Sequence, residues 1–306
     1  MSNYKNVFVT GSIAYDTIMN FPNKFQEYFH PEKLHQINVS FVVNKLERQL
    51  GGTGTNISYN ISKILNNKLQ IKLLGSVGKD GKDFINFFKK NKIDASGVIV
   101  DKKLYTSAGS VITDLKNNQI WGFYYGASEK IPYINFKNIN KETDLLVISA
   151  NHKNSFLYFQ NEVIKNKISY LYDPGMTLTW IKDKDLKRGV MNCKYLVGND
   201  YEIAMITKRL NVSINRLIDT GVKVITTLGE GGVQYYDVGA KRASPLLIKG
   251  YRVKKMVDPT GAGDAWRGGF LAGLLMNYSM KNCLKLGNVM ASFAIEKYGT
   301  VNHKPT

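Results

Sequence analysis

Six short runs rich in Val, Ile and Leu punctuate this chain, at 6–11, 69–77, 144–149, 168–173, 194–198 and 222–228. Helix-like segments lie among them, at 54–66, 80–91, 153–165, 200–209 and 212–220. A strand that is apolar on both faces must be covered on both faces, and alternating helices supply the cover. The pattern therefore predicts βαβ units and an α/β fold, a doubly wound, mostly parallel sheet flanked by helices. Two stretches break the rhythm. Residues 34–46 and 104–125 read as extended pieces, the second with a hairpin signal at Lys116-Asn117-Asn118. Tight turns cannot place such pieces in a parallel sheet, so a small β lid at one edge is expected. The tail from 263 to 297 reads as two helices broken near Asn277-Tyr278-Ser279-Met280. No repeat, low-complexity tract or linker divides the 306 residues. One α/β domain is expected, with lid insertions at about 13–48 and 104–126.

Charge bears on partners. The chain carries 42 Lys and Arg against 24 Asp and Glu, a net charge of +18. Such a surplus invites a nucleic-acid reading, because phosphate contacts supply most nonspecific affinity. Yet only 7 of the 42 are Arg, the residue of bidentate and stacking contacts, and the lysines are dispersed. The charge reads as a solvated surface that also attracts anionic small molecules. No nucleic-acid partner is expected. Cys193 and Cys283 stand far apart with no second thiol nearby, which predicts neither a disulfide framework nor a CxxC metal site. No run approaches the ~18 apolar residues of a membrane helix, and no signal-like region opens the chain. A cytoplasmic protein without membrane contact is the expectation. His30, His35, His152 and His303 lack ligand spacing. A GxSxG elbow, HExxH and a Walker lysine loop are absent, and Gly11-Ser12-Ile13 fails the dinucleotide GxGxxG pattern.

Ligands of open α/β sheets sit where strands run into helices at their carboxyl ends. The strongest motif falls at such a place: Asp258-Pro259-Thr260-Gly261-Ala262-Gly263-Asp264-Ala265-Trp266-Arg267-Gly268-Gly269-Phe270. A helix starting near Gly263 presents unpaired N–H groups and the positive end of its dipole. Glycines let that backbone approach an anion closely. Asp264, in the first turn, is placed to take a proton from a hydroxyl beside the anion, as phosphoryl transfer to an alcohol requires. A lone glycine turn with Asp264 as a capping carboxylate is the plainer alternative for a shorter match.

This segment resembles the second signature of the PfkB or ribokinase-like family of carbohydrate and nucleoside kinases. Three further motifs resemble the family's in order. Gly51-Gly52-Thr53-Gly54-Thr55-Asn56 resembles its first signature, although glycine loops before helices are common. Asn199-Asp200-Tyr201-Glu202 resembles a site that orients magnesium and phosphate, but also suits an ordinary helix start with acidic residues. Thr226-Thr227-Leu228-Gly229-Glu230-Gly231-Gly232 resembles a cradle for nucleotide phosphates, and equally a hairpin turn into Val233–Tyr236.

The N-terminal half, with Thr10-Gly11-Ser12-Ile13-Ala14-Tyr15-Asp16 and His35-Gln36-Ile37-Asn38-Val39-Ser40-Phe41, is most similar to the bacterial adenosine kinase branch. The likeness runs from about residue 7 to about residue 300. It implies a ribokinase-like fold in which Asp264 is the base and Gly261, Ala262 and Gly263 form the anion hole. By the same likeness, Ser12, Asp16, Ser40, Gly52 and Asn56 hold a ribose and Phe123 stacks on its base. Asn199, Thr227, Gly229 and Gly232 serve ATP. Glu202 and Asn199 meet Mg2+ through water, and Asp258 lies near a K+ ion. Tyr124 and Tyr125 suit the base slot or a dimer interface alike. Lys255 and Arg267 stand near the transfer motif, and Arg267 suits phosphate or a carboxylate on a neighbouring helix.

The chain departs from that branch in places. A second lid aromatic falls on Gly109 or Ser110, and Asp173-Pro174-Gly175-Met176-Thr177 lacks amides that would read a base edge. The end at Thr306, soon after Gly299-Thr300, shortens the helical tail expected from the family. The resemblance implies an ATP-dependent nucleoside kinase acting on the ribose 5′-hydroxyl, with adenosine as acceptor. A sugar kinase of the ribokinase or fructokinase type is the alternative, and the exposed sheet edges suit a lid-to-lid homodimer or a monomer alike.

Overall fold

The structure, a computed structural model, describes residues 3–29, 38–65, 70–116, 118–237 and 245–305. In chain order, β1 (Asn6–Thr10), β2 (Ala14–Asn20) and β3 (Lys45–Gly51) precede α1 (Thr53–Leu65). Next come β4 (Gln70–Val77), α2 (Lys82–Lys90), β5 (Asp94–Val100), β6 (Ser107–Thr113) and β7 (Gln119–Tyr124). A regular alternation follows, through β8 (Asp144–Ser149), α3 (Lys153–Asn166), β9 (Tyr170–Asp173), α4 (Asp183–Asn192), β10 (Tyr195–Asn199) and α5 (Asp200–Leu210). The rest is α6 (Ile214–Asp219), β11 (Lys223–Thr227), β12 (Val233–Tyr236), β13 (Leu246–Ile248), α7 (Ala262–Leu275) and α8 (Met280–Ile295).

The main sheet has nine strands in the order β13-β12-β11-β10-β9-β8-β1-β4-β5. Pairing is parallel from β5 to β11 and antiparallel for β12 and β13. The chain leaves β1 in one direction, through β4 and β5, and returns to continue from β8 in the other. The β1/β8 gap is thus the topological switch point, where open α/β sheets bind ligands.

Both faces of the sheet are buried, as the continuous apolar runs required. Val7, Val9, Leu145 and Val147 face α1, α2, α7 and α8, meeting Ile57, Phe84 and Phe270. Leu146, Ile148, Leu196 and Val224 face the other way, onto Phe156, Phe159, Leu186 and Ile206. The second sheet has the order β3-β2-β6-β7. Its central pair, β2 and β6, is parallel although the two strands come from separate stretches of chain. The β6–β7 hairpin closes on Asp114, whose carboxylate accepts the N–H groups of Lys116 and Asn118.

The parallel α/β core matches the sequence expectation to within one or two residues at most ends. The first extended piece does not. Of 34–46, residues 34–37 lie outside the described residues and 38–44 have no regular structure. The strand is Lys45–Gly51, an edge strand carrying Lys45, Glu47 and Arg48, whose place is set by pairing with β2 and not by an apolar run of its own. Helix α4, which buries only Leu186, Gly189 and Val190, gives too short an apolar face to stand out in sequence. Strands β5 and β13 were likewise unheralded, whereas β12 stands where the hairpin reading put Val233–Tyr236. Among the described residues, no helix is long and apolar enough to cross a membrane.

Candidate active site

The site begins at the α7 N-terminus. Gly261 caps that helix in the left-handed region, at φ 77°, and among the described residues no side chain caps the first turn. Such a backbone presents donors and a positive dipole end to an anion. The turn spends one of the expected donors: Ala262 N–H bonds back to Pro259 O at 3.2 Å. The N–H groups of Gly261 and Gly263 make no hydrogen bond among the described residues. Asp258 braces the turn from below. One of its oxygens accepts Thr260 N–H (2.9 Å) and the other Gly299 N–H (3.0 Å).

Asp264 lies in the first turn of α7, largely buried. Its Oδ2 accepts Asn56 Nδ2 at 2.8 Å, and its Oδ1 lies 3.9 Å from Arg267 Nη1. Burial pushes its carboxyl above the ordinary range, opposed by the Arg267 guanidinium and the Asn56 amide and reinforced by Glu202. Arg267, one turn on, is clamped at 2.5 Å by Asp173 from the carboxyl end of β9. Ser149 donates to the same carboxylate at 3.0 Å. Asp173 is pushed up to about 6, mainly by burial. Arg267 Nε is buried with no hydrogen-bond partner among the described residues. Arg267 thus pairs with a strand-end carboxylate, not with one on a neighbouring helix.

Asn56 sits in the first turn of α1, whose start is locked to the β1 loop. Gly54 N–H donates to Ser12 O (3.0 Å), Thr53 N–H to Ser12 Oγ (3.1 Å), and Thr53 Oγ1 to Ala150 O (3.0 Å). Gly52 takes φ 88° there, and a Cβ on it would lie 2.4 Å from Ser12 O. Ser12 and Gly52 therefore interlock two loops at the switch point. Asp16, on β2, projects its carboxylate into the space that a side chain at Gly51 would fill. The carboxylate accepts no hydrogen bond among the described residues. Burial, with repulsion from Asp264 and Asp258, pushes it up to about 7.

Register across the lid aligns Gln49, Asp16, Gly109 and Phe123 in one row. Paired residues point to the same face, so Phe123 shares a face with Asp16, and Gly109 between them has no side chain. Phe123 stands edge-on to Tyr125 (5.0 Å between centroids), and Tyr125 edge-on to His152 (5.2 Å). The aromatics thus lead from the lid to the end of β8.

The remaining expected residues lie further along the same carboxyl edge. Asn199 and Glu202 form a capping box on α5: Asn199 Oδ1 accepts Glu202 N–H at 2.7 Å, and Glu202 Oε2 accepts Asn199 N–H at 2.8 Å. The acidic helix start is therefore real, and one Glu202 oxygen is left over. The charge of Glu202 reaches Asp264, Asp173 and Arg267. Thr227 ends β11, and Gly229 and Gly232 shape the turn into antiparallel β12, so the hairpin reading of this stretch also holds. Ser40 is the exception. It is exposed in the irregular stretch before β3, and no contact joins it to the site among the described residues. Two residues at the site were not foreseen there, Asp173 and Thr300, whose hydroxyl lies 2.8 Å from Asn56 Oδ1. Asp173 was legible only as a strand-end acid, Thr300 only as the residue after a glycine.

Residues 7–306 match the pfkB family of carbohydrate kinases. The chain belongs to that family. It is a phosphotransferase with a hydroxyl acceptor, as an acid at a glycine-capped helix start already suggested. Among its relatives is the nucleoside kinase of Methanocaldococcus jannaschii, 28% identical over 280 residues, which span 91% of this chain and 89% of the relative. The nucleoside kinase of Methanothermobacter thermautotrophicus is 29% identical, covering 100% of this chain and 94% of its own. The structure of Burkholderia thailandensis nucleoside kinase in complex with inosine superposes with a TM-score of 0.84 at 26% identity, over 98% of this chain and 94% of that one. A second structure of that enzyme is a complex with ADP-inosine, with a TM-score of 0.80 at 27% identity over 98% of this chain and 92% of that one. These likenesses show a ribokinase-like fold, in which the smaller sheet of this chain is the lid.

Proposed function

We propose that this kinase transfers the γ-phosphoryl group of ATP to the 5′-hydroxyl of a nucleoside, with adenosine as the acceptor. The observation that carries the nucleoside reading is the lid row Gln49–Asp16–Gly109–Phe123. A carboxylate accepts two hydrogen bonds at once and suits a vicinal diol. A phenyl ring two strands away on the same face, roughly 10 Å by strand spacing, suits the base that a ribose carries. Gly109 leaves the room between them. A free sugar would leave that ring unused. The relatives named as nucleoside kinases support the same reading.

Asp264 takes the proton as the hydroxyl oxygen attacks phosphorus, while Asn56 and Asp16 hold the ribose. The free N–H groups of Gly261 and Gly263 receive the charge of the transferring group, and Arg267 adds a fixed positive charge nearby. Ala262 completes the turn. Thr227, Gly229 and Gly232 shape the nucleotide site. Magnesium, when bound with ATP, offsets phosphate charge. The Glu202 oxygen left free by the cap, beside Asn199, is a hard donor that fits contact through water. Each Asp258 oxygen accepts one N–H and keeps a further lone pair, so Asp258 still fits a place near a K+ ion. Lid closure excludes water that would otherwise hydrolyse ATP.

The outer lid face takes a second copy of the chain in this proposal. There Leu46, Met19, Ile112 and Ile120 form an apolar row across all four strands. The test of function is an ADP-release assay with ATP, magnesium and potassium across adenosine, inosine, cytidine, ribose and fructose. Adenosine is expected to give the highest kcat/KM, and Asp264→Asn to lose at least about 100-fold. Preference for ribose or fructose would replace this reading with a sugar kinase.

A further inference from the structure

Residues 299–303, after α8, return to the centre of the site. Gly299 N–H holds Asp258, the Tyr59 hydroxyl donates to His303 O at 2.5 Å, and His303 Nε2 meets Asn60 Oδ1 at 2.7 Å. Burial keeps the His303 ring neutral, pushing it down to about 4. These bonds pin the segment against α1 and the transfer loop, with Thr300 buried in the middle.

Thr300 has two ends. Its methyl packs on the anion-hole turn, where a Cβ at Gly261 would lie 2.8 Å from Cγ2. Its hydroxyl donates to Asn56 Oδ1 at 2.8 Å, with Leu50 O a weaker alternative at 3.3 Å. An amide has one acceptor end and one donor end. Thr300 claims the acceptor end, which directs Asn56 Nδ2 onto Asp264 Oδ2 at 2.8 Å. The reversed amide would set an oxygen against a carboxylate.

We propose that Thr300 is a positioning residue for Asp264, acting through Asn56. The inference rests on the reading of Asp264 as the base. Asp264 is faced by Arg267 from its own helix, Glu202 from α5, Asp173 from β9 and Asp16 from β2. With three of these four groups acidic, a directed donor on Oδ2 is what helps keep Asp264 ionised at neutral pH.

Two variants separate the two ends of Thr300. Thr300→Val keeps the methyl contact and removes the hydroxyl, whereas Thr300→Ser does the reverse. The readout is the carbon NMR titration of the Asp264 carboxyl in the ligand-free protein, assigned by its loss in Asp264→Asn. Alongside it runs the pH profile of kcat/KM with adenosine and ATP. In Thr300→Val both midpoints are expected to move up by about one pH unit, with activity recovering at higher pH. Thr300→Ser is expected to titrate like the wild type. A Thr300→Val titration that overlays the wild type overturns the proposal, as does a Thr300→Ser titration that moves with Thr300→Val. Near-normal turnover by Asp264→Asn would instead remove the base reading, while the NMR titration still reports the coupling.

Discussion

At the scale of single residues, Asp16 combines two opposed demands. In the proposed role it must be ionised to accept two ribose hydroxyls, yet burial among other acids raises it from 3.8 to about 7. Between those values the folded protein holds a proton that the unfolded chain has released, so stability falls as pH rises through that window. Asp16→Asn is therefore expected to raise the melting temperature by only about 2 °C at pH 5 and by about 5 °C at pH 8, as the penalty it removes grows to about 4 kcal/mol above pH 7. The KM for the nucleoside should rise at least about tenfold in the variant, and in the wild type it should climb as pH falls below about 7. Melting curves and KM at the two pH values check both statements. An equal change in melting temperature at pH 5 and pH 8 would refute the buried-charge account. Asp16 was legible in the sequence through its motif, but its burial was not, because the acids around it come from other elements.

At the scale of elements, α7 concentrates the chemistry. Its glycines serve packing as well as the proposed anion site: a Cβ at Gly268 would lie 2.3 Å from Asn60 Cβ on α1, and one at Gly269 2.5 Å from Leu286 O on α8. The helix is buried on nearly every side, and its N-terminus is thereby held rigidly at the carboxyl edge of the sheet. The Arg267–Asp173 pair ties it to β9. Removing one partner leaves a buried carboxylate uncompensated, so Arg267→Ala is expected to cost about 3 kcal/mol in denaturant unfolding. It should also move the acidic limb of activity to higher pH, because the guanidinium lowers Asp264. An unchanged limb would mean that Arg267 is purely structural. The helix start was readable from its glycines and first-turn acid, which are local signals. The ion pair was not, since its partners stand 94 positions apart.

For the whole molecule, the outer lid row makes assembly testable. If a second copy covers it, Ile120→Lys should convert a dimer to a monomer in sedimentation while leaving the melting temperature of the core nearly unchanged. A wild type that sediments as a monomer at micromolar concentration would remove that interface. Strand and helix periodicity, the Gly-rich helix starts and the family motifs are properties of neighbouring residues, so the α/β order and the motifs of the candidate site could be read along the chain. What became visible only in three dimensions depends on contacts between distant residues. The edge strand Lys45–Gly51 takes its place from β2, and Ser40 is left outside the site. Asn56 meets Asp264 across 208 positions and Thr300 across 244. One-dimensional patterns record which face of an element is apolar. They do not record which polar groups must neutralise or orient one another once burial has removed water, and that pairing is settled by packing.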